Sequence, residues 1–224
     1  VGAGYMEDFH YAGGLEGVLR EIAPQLETDT RSITGETLAD RLARPLADPI
    51  DRSVIREAAT PISPVGGLIA LRGSLAPEGA ILKRAAATEA LLEHEGRAVV
   101  FTSLEDLAAR IDDPDLDVTA EDILVLQNAG PKSASGMPEA GYLPIPKKLA
   151  QAGVKDMVRI SDARMSGTAF GTIVLHVSPE ASVGGPLSLV RNGDRIRLSA
   201  REKRIDLLVD VATLAHRRTE TTGA

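Results

Sequence analysis

Beyond residue 60, apolar residues fall in short runs broken by clusters of Gly, Pro, Ser and Asp. Gly67–Arg72, Gly79–Ala85, Arg97–Thr102, Asp122–Gln127, Val158–Ile160, Thr172–Val177 and Arg204–Val209 are rich in Val, Ile and Leu, and each predicts a buried strand. Arg195–Ser199 differs: Ile196 and Leu198 alternate with Arg195, Arg197 and Ser199, the pattern of a half-buried strand. Between Pro186–Val190 and that strand stands Arg191-Asn192-Gly193-Asp194, which predicts a hairpin, because Asn-Gly readily supplies the positive φ of a tight turn.

Helical spacing is rarer. Leu15, Val18, Leu19 and Ile22 predict a helix over Gly13–Ile22, stopped by Pro24. Leu38 and Leu42 predict another over Thr34–Ala43, stopped by Pro45. Neither can bury much alone, and 47–59 is charged and aperiodic. Residues 1–57 therefore read as the tail of a preceding domain plus a linker. Further on, Ser103 caps a helix to Ile111, 87–95 reads as a short helix or turn carrying a solvated His94, and helices are expected over Pro146–Ala152 and Val211–Arg218. Residues 219–224 are expected to fray. Strands dominate 58–218. The fold class is α/β: a β-rich domain with a mixed, barrel-like sheet, preceded by a helical linker segment.

Charge and composition narrow the function. A formal net charge of −7 disfavours nonspecific nucleic-acid binding. No apolar run is long enough to span a membrane, and Val1-Gly2-Ala3-Gly4-Tyr5 is not a signal peptide, so the cytoplasm is the expected compartment. The missing initiator Met suggests a piece of a longer chain. With no Cys, the chain offers no thiolate for zinc or for an iron–sulfur cluster.

Two loops carry candidate chemistry. Ser161–Thr168 crowds Asp162, Arg164, Ser166 and Thr168 between two strands, and Gly167 and Gly171 would let a ligand approach the backbone. Spacing alone does not separate such a site from an ordinary polar turn. Gln127–Tyr142 is rich in Gly, Pro and Ser and precedes a helix whose start, with Lys132 or Lys147, could take an anion, or could be a plain connection. Asp112–Asp117 is acidic but lacks the Gly and terminal Glu of a calcium loop, and reads as solvated. Arg164 is expected to pair with Asp162 or to meet a substrate carboxylate. His176, amid Val174, Leu175 and Val177, reads as a structural histidine.

Several segments resemble the dihydroxy-acid and sugar-acid dehydratase family. They are Tyr5–Gly14, Leu71–Gly79, Gly130-Pro131-Lys132, Gly136-Met137-Pro138-Glu139, Ser161–Thr168, His176–Ala181 and Gly184-Gly185-Pro186. The form Asp162-Ala163-Arg164-Met165-Ser166-Gly167-Thr168 looks most like the pentonate and hexonate branch. The resemblance covers nearly all of residues 5–210 and implies a swivelling β/β/α domain with a closed barrel, the carboxy-terminal half of a hydro-lyase. It implies a 2,3-dihydroxy (sugar) acid as substrate and a 2-keto-3-deoxy acid as product. Ser166 would take the C2 proton, with Thr168 assisting. Arg164, Ser166 and Thr168 would bind substrate, and Glu139 would ligate Mg2+. An iron–sulfur cluster would assist departure of the 3-hydroxyl. Its ligands, absent here, and the remaining magnesium ligands would belong to an amino-terminal domain of the same enzyme, which commonly forms homo-oligomers. The chain alone is then expected to be inactive. The alternative is a non-catalytic interaction or scaffolding module with the same fold.

Overall fold

The computed structural model describes residues 4–139, 143–166 and 170–222, with side chains to residue 220. The chain divides into two compact units, Val1–Val65 and Gly66–Ala224.

The first unit contains α1 (Met6–Tyr11), α2 (Gly14–Glu21) and α3 (Leu38–Ala43). Gly13, at φ 116°, turns the chain from α1 into α2, a geometry costly for any residue with a Cβ. Helix α3 starts four residues later than its apolar spacing predicts. Thr37 is its N-cap, accepting from the Asp40 amide at 3.0 Å while Asp40 accepts from the Thr37 amide at 3.1 Å. The segment read as an aperiodic linker has packing of its own. Ile55 is buried, and Ile50 and Ile55 lie against Gly13 and Gly17. Glu21 binds Arg52 at 2.6 Å.

The second unit is an eight-stranded mixed sheet: β1 (Ile69–Leu71), β2 (Gly79–Leu82), β3 (Glu93–Phe101), β4 (Ile123–Leu126), β5 (Arg159–Ser161), β6 (Ile173–Ser178), β7 (Arg195–Ser199) and β8 (Arg204–Leu207). Their order is β1-β2-β6-β5-β4-β3-β7-β8. Strands β6, β5, β4 and β3 are parallel, and the outer pairings are antiparallel. A bridge between Arg72 and Arg204 joins the two edges, so the sheet nearly closes into a barrel.

Alternation sorts the side chains into two cores. Val100, Val125, Ile160, Val174, Leu198 and Ile205 fill the barrel interior. Phe101, Leu124, Leu126 and Leu175 point outward, under α4 (Leu104–Arg110) and α5 (Lys147–Gln151). Strand β4 is buried on both faces, which explains why its sequence is an unbroken apolar run.

Three local expectations change. Pro186–Leu189 is a buried 3₁₀ turn, so Asn192-Gly193 does not close a hairpin. Instead β7 pairs with β3 and β8, and the Asn192 side chain caps the Val100 amide at 2.7 Å. His94 belongs to β3 opposite Leu198, with Nε2 2.9 Å from the Glu121 carbonyl, because the polar first half of β3 pairs with β7. The amide at the start of α5 is taken by Asp112, 3.0 Å away, so the anion there is the chain's own carboxylate. A last helix, α6 (Val211–Thr222), extends past Arg218. Among the described residues no helix is long and apolar enough to cross a membrane.

Candidate functional site

Parallel strands β4, β5 and β6 end on the same side of the sheet, and the loops leaving them form the candidate site. In both open parallel sheets and parallel barrels, the loops at the carboxyl ends of the strands are where ligands bind. A pocket of about 470 Å³ opens there, lined by Lys132, Met137, Asp162, His176, Ser178 and Glu180 among others.

Buried carboxylates tie the three loops together. Asp162 accepts the Ala129 amide at 2.9 Å through Oδ1 and the Ala181 amide at 2.8 Å through Oδ2. Burial pushes its carboxyl above the ordinary range, against the two amides. Glu180 accepts the Lys132 amide at 2.9 Å. Gln127, buried below, donates to the Leu187 and Val190 carbonyls at 2.7 and 3.0 Å.

The loop after β4 meets the loop after β5 at Glu139 and Arg164. The two residues form a parallel bridge, the Arg164 amide donates to the Pro138 carbonyl at 3.2 Å, and the side chains pair at 3.6 Å. Asp162 and Arg164 do not pair, because the Asp162 oxygens are engaged by backbone amides. Ser166, two residues on, is buried. Thr168, with Gly167, lies outside the described residues. Gly171 adopts φ 99°, yet what approaches it is the buried Asp156–Arg159 pair rather than open space for a ligand.

The acidic segment before β4 spends its carboxylates on the protein: Asp112 on the Lys147 amide, Asp113 on the Asp115 amide, Asp117 on Arg97.

The sequence reads His176 as a structural histidine within a strand, and the structure shows what it holds. The register of β6 against β2 shifts between Gly79–Ser178 and Ile81–Leu175, which places one extra residue on β6. His176 occupies this bulge at φ 53°. Its amide donates to the Ala163 carbonyl at 3.0 Å, and its Nε2 accepts the Met165 amide at 2.9 Å. Burial lowers its pKa, which suits the neutral ring that this acceptor role requires.

Of the residues marked by the family motifs, Glu139 offers a donor to a magnesium ion. Glu139 is a half-exposed carboxylate, the hard oxygen ligand such an ion prefers, but the described residues hold no group of three or more His, Cys, Asp or Glu to complete a site. An iron–sulfur cluster does not fit this chain's own residues, which include no Cys.

Residues 53–224 match the family model described as dihydroxy-acid/6-phosphogluconate dehydratase C-terminal. The chain is 48% identical over 220 residues to the 6-deoxy-6-sulfo-D-gluconate dehydratase of Pseudomonas putida, covering 97% of this chain and 38% of that protein. It is 47% identical over 219 residues to the L-arabinonate dehydratase of Rhizobium leguminosarum bv. trifolii, covering 96% and 37%. The dihydroxy-acid dehydratase of Methanothrix thermoacetophila is 39% identical over 220 residues, covering 97% and 39%. The chain thus spans under two fifths of the length of these relatives.

Proposed function

Because the chain belongs to the dihydroxy-acid/6-phosphogluconate dehydratase C-terminal family, we propose that it is the carboxy-terminal catalytic domain of a hydro-lyase. The substrate is a sugar acid with hydroxyls on C2 and C3, and the product is a 2-keto-3-deoxy acid. The observation that carries this reading is the junction of the β4 and β5 loops, which joins Glu139 to Arg164 two residues from the buried Ser166.

In this reading Ser166, as an alkoxide, takes the C2 proton. The C2–H electron pair moves onto the carboxylate as an enediolate and then into a C2–C3 double bond as the C3 hydroxyl leaves as water with the proton that Ser166 removed, and the enol tautomerises to the ketone. An ordinary serine is far too weakly acidic for this role, so nearby positive charge must activate it. Arg164 orients the substrate carboxylate, and Thr168 contributes to substrate binding or proton transfer. Glu139 is the residue that would hold Mg2+, whose charge, when bound, favours the enediolate that builds on the substrate. The other metal ligands, and those of an iron–sulfur cluster, come from an amino-terminal region, and the 224-residue chain alone is inactive.

The test is dehydration of a panel of aldonic acids by the full-length enzyme that contains this domain, beside its Ser166→Ala variant and the isolated chain. Turnover by the full-length enzyme alone supports the reading. An active Ser166→Ala enzyme removes the serine base, and a full-length enzyme inert on every acid removes the dehydratase assignment.

A further inference from the structure

We propose that His176 is a positioning residue that sets the backbone leading into Ser166. This deepens the reading of Ser166 as the base and rests on it. The bulge in β6 has a specific effect. Without the extra residue, position 176 would alternate into one of the two cores, like Val174 or Leu175. With it, the imidazole turns toward the loop after β5 and lines the pocket at the strand ends. Both ends of His176 then hold the same short segment: its amide holds the Ala163 carbonyl, and its Nε2 holds the Met165 amide. The segment between them includes Arg164, whose own amide is tied to Pro138. Ser166 follows directly.

An apolar side chain at this bulge could not accept the Met165 amide hydrogen. Histidine is, with Asn and Asp, among the few non-glycine residues enriched at positive φ, so the backbone alone does not single it out. The Met165 contact gives histidine a reason to be there. The ring must be neutral, with its proton on Nδ1.

Two substitutions separate this role from a merely conformational one, because they rank oppositely. Asn tolerates φ 53° better than Gln, but its oxygen is too short to reach the Met165 amide. Gln is more strained, but its Oε1 reaches about as far as Nε2. In the full-length enzyme, His176→Asn is expected to lower kcat on the order of 10²-fold with little change in KM, as misplacement of a reacting group does. His176→Gln is expected to retain most of kcat. The reverse ranking, or equal loss in both, overturns the proposal. A measurement on the unsubstituted chain needs no variant to fold: 15N resonances of the His176 ring should show Nε2 unprotonated and Nδ1 protonated. An Nε2-protonated ring overturns the contact. If Ser166→Ala proves active while the ring shows the expected tautomer, the serine reading fails and the His176–Met165 contact stands as structure only.

Discussion

Glu180 occupies the space that a side chain on Gly130 would need. A Cβ at residue 130 would sit 2.8 Å from the Glu180 Cβ and closer still to its carboxylate. Two loops from different strands therefore interlock at one carboxylate, and Glu180 is held there by the Lys132 amide. Gly130→Ala must push Glu180 out and break that hydrogen bond. We expect a loss of about 1–3 kcal/mol, typical of overpacking, read from the urea midpoint. An unchanged midpoint would show that the loops are not interlocked.

Gly171 meets a stiffer obstacle. At φ 99° a Cβ is strained already, and it would run into Arg159 Nη2 and Asp156 Oδ1. That pair is buried, 3.1 Å apart, and Arg159 also donates to the carbonyls of Leu143 and Phe170. Neither group can swing into water. Gly171→Ala should cost about 3 kcal/mol or more, the scale of breaking a buried pair, and thermal unfolding would report it.

Asp156 makes stability sensitive to acid. Burial works to raise its pKa, but hydrogen bonds from Thr172 and Thr88 and the charge of Arg159 outweigh burial and hold it below the ordinary value. A carboxyl whose folded pKa is depressed binds fewer protons folded than unfolded in the window between the two values. Its contribution is therefore fully present above the ordinary Asp pKa of about 3.9 and is lost as pH falls through the folded value. The stability gap between the unsubstituted chain and Asp156→Asn should be constant from pH 7 to 5 and narrow below about pH 4. A gap independent of pH down to the acid transition would contradict this account.

Arg164 separates structure from chemistry. Its pair with Glu139 is long, at 3.6 Å, and both side chains are substantially exposed, at 52% and 40%. Such pairs contribute about 0–1 kcal/mol, so Arg164→Gln should hardly move the melting temperature. If Arg164 binds the substrate carboxylate, the same substitution in the full-length enzyme should raise KM by about 10-fold or more, the loss of one charge-assisted hydrogen bond. A KM that stays put would reduce Arg164 to the loop contact alone.

The sequence by itself determined most of the strands, though not the first half of β3. Ile123–Leu126 reads as buried because a parallel strand covered on both faces needs apolar residues at every position, and Ser103 marks the start of α4 because its hydroxyl can cap the Asp106 amide. Through family motifs it also marked Glu139, Arg164, Ser166 and Thr168 as candidates. Only the tertiary structure decided how these pieces meet. The 3₁₀ turn at Pro186–Leu189 was hidden because burial in the barrel, not local turn chemistry, sets its shape. The partners of Asp162 were hidden because Ala129 and Ala181 contribute backbone amides, which every residue has. The bulge at His176 was hidden for a similar reason. Its left-handed backbone is stabilised by contacts with Ala163 and Met165, more than ten residues away in sequence, and no local pattern encodes a contact at that separation.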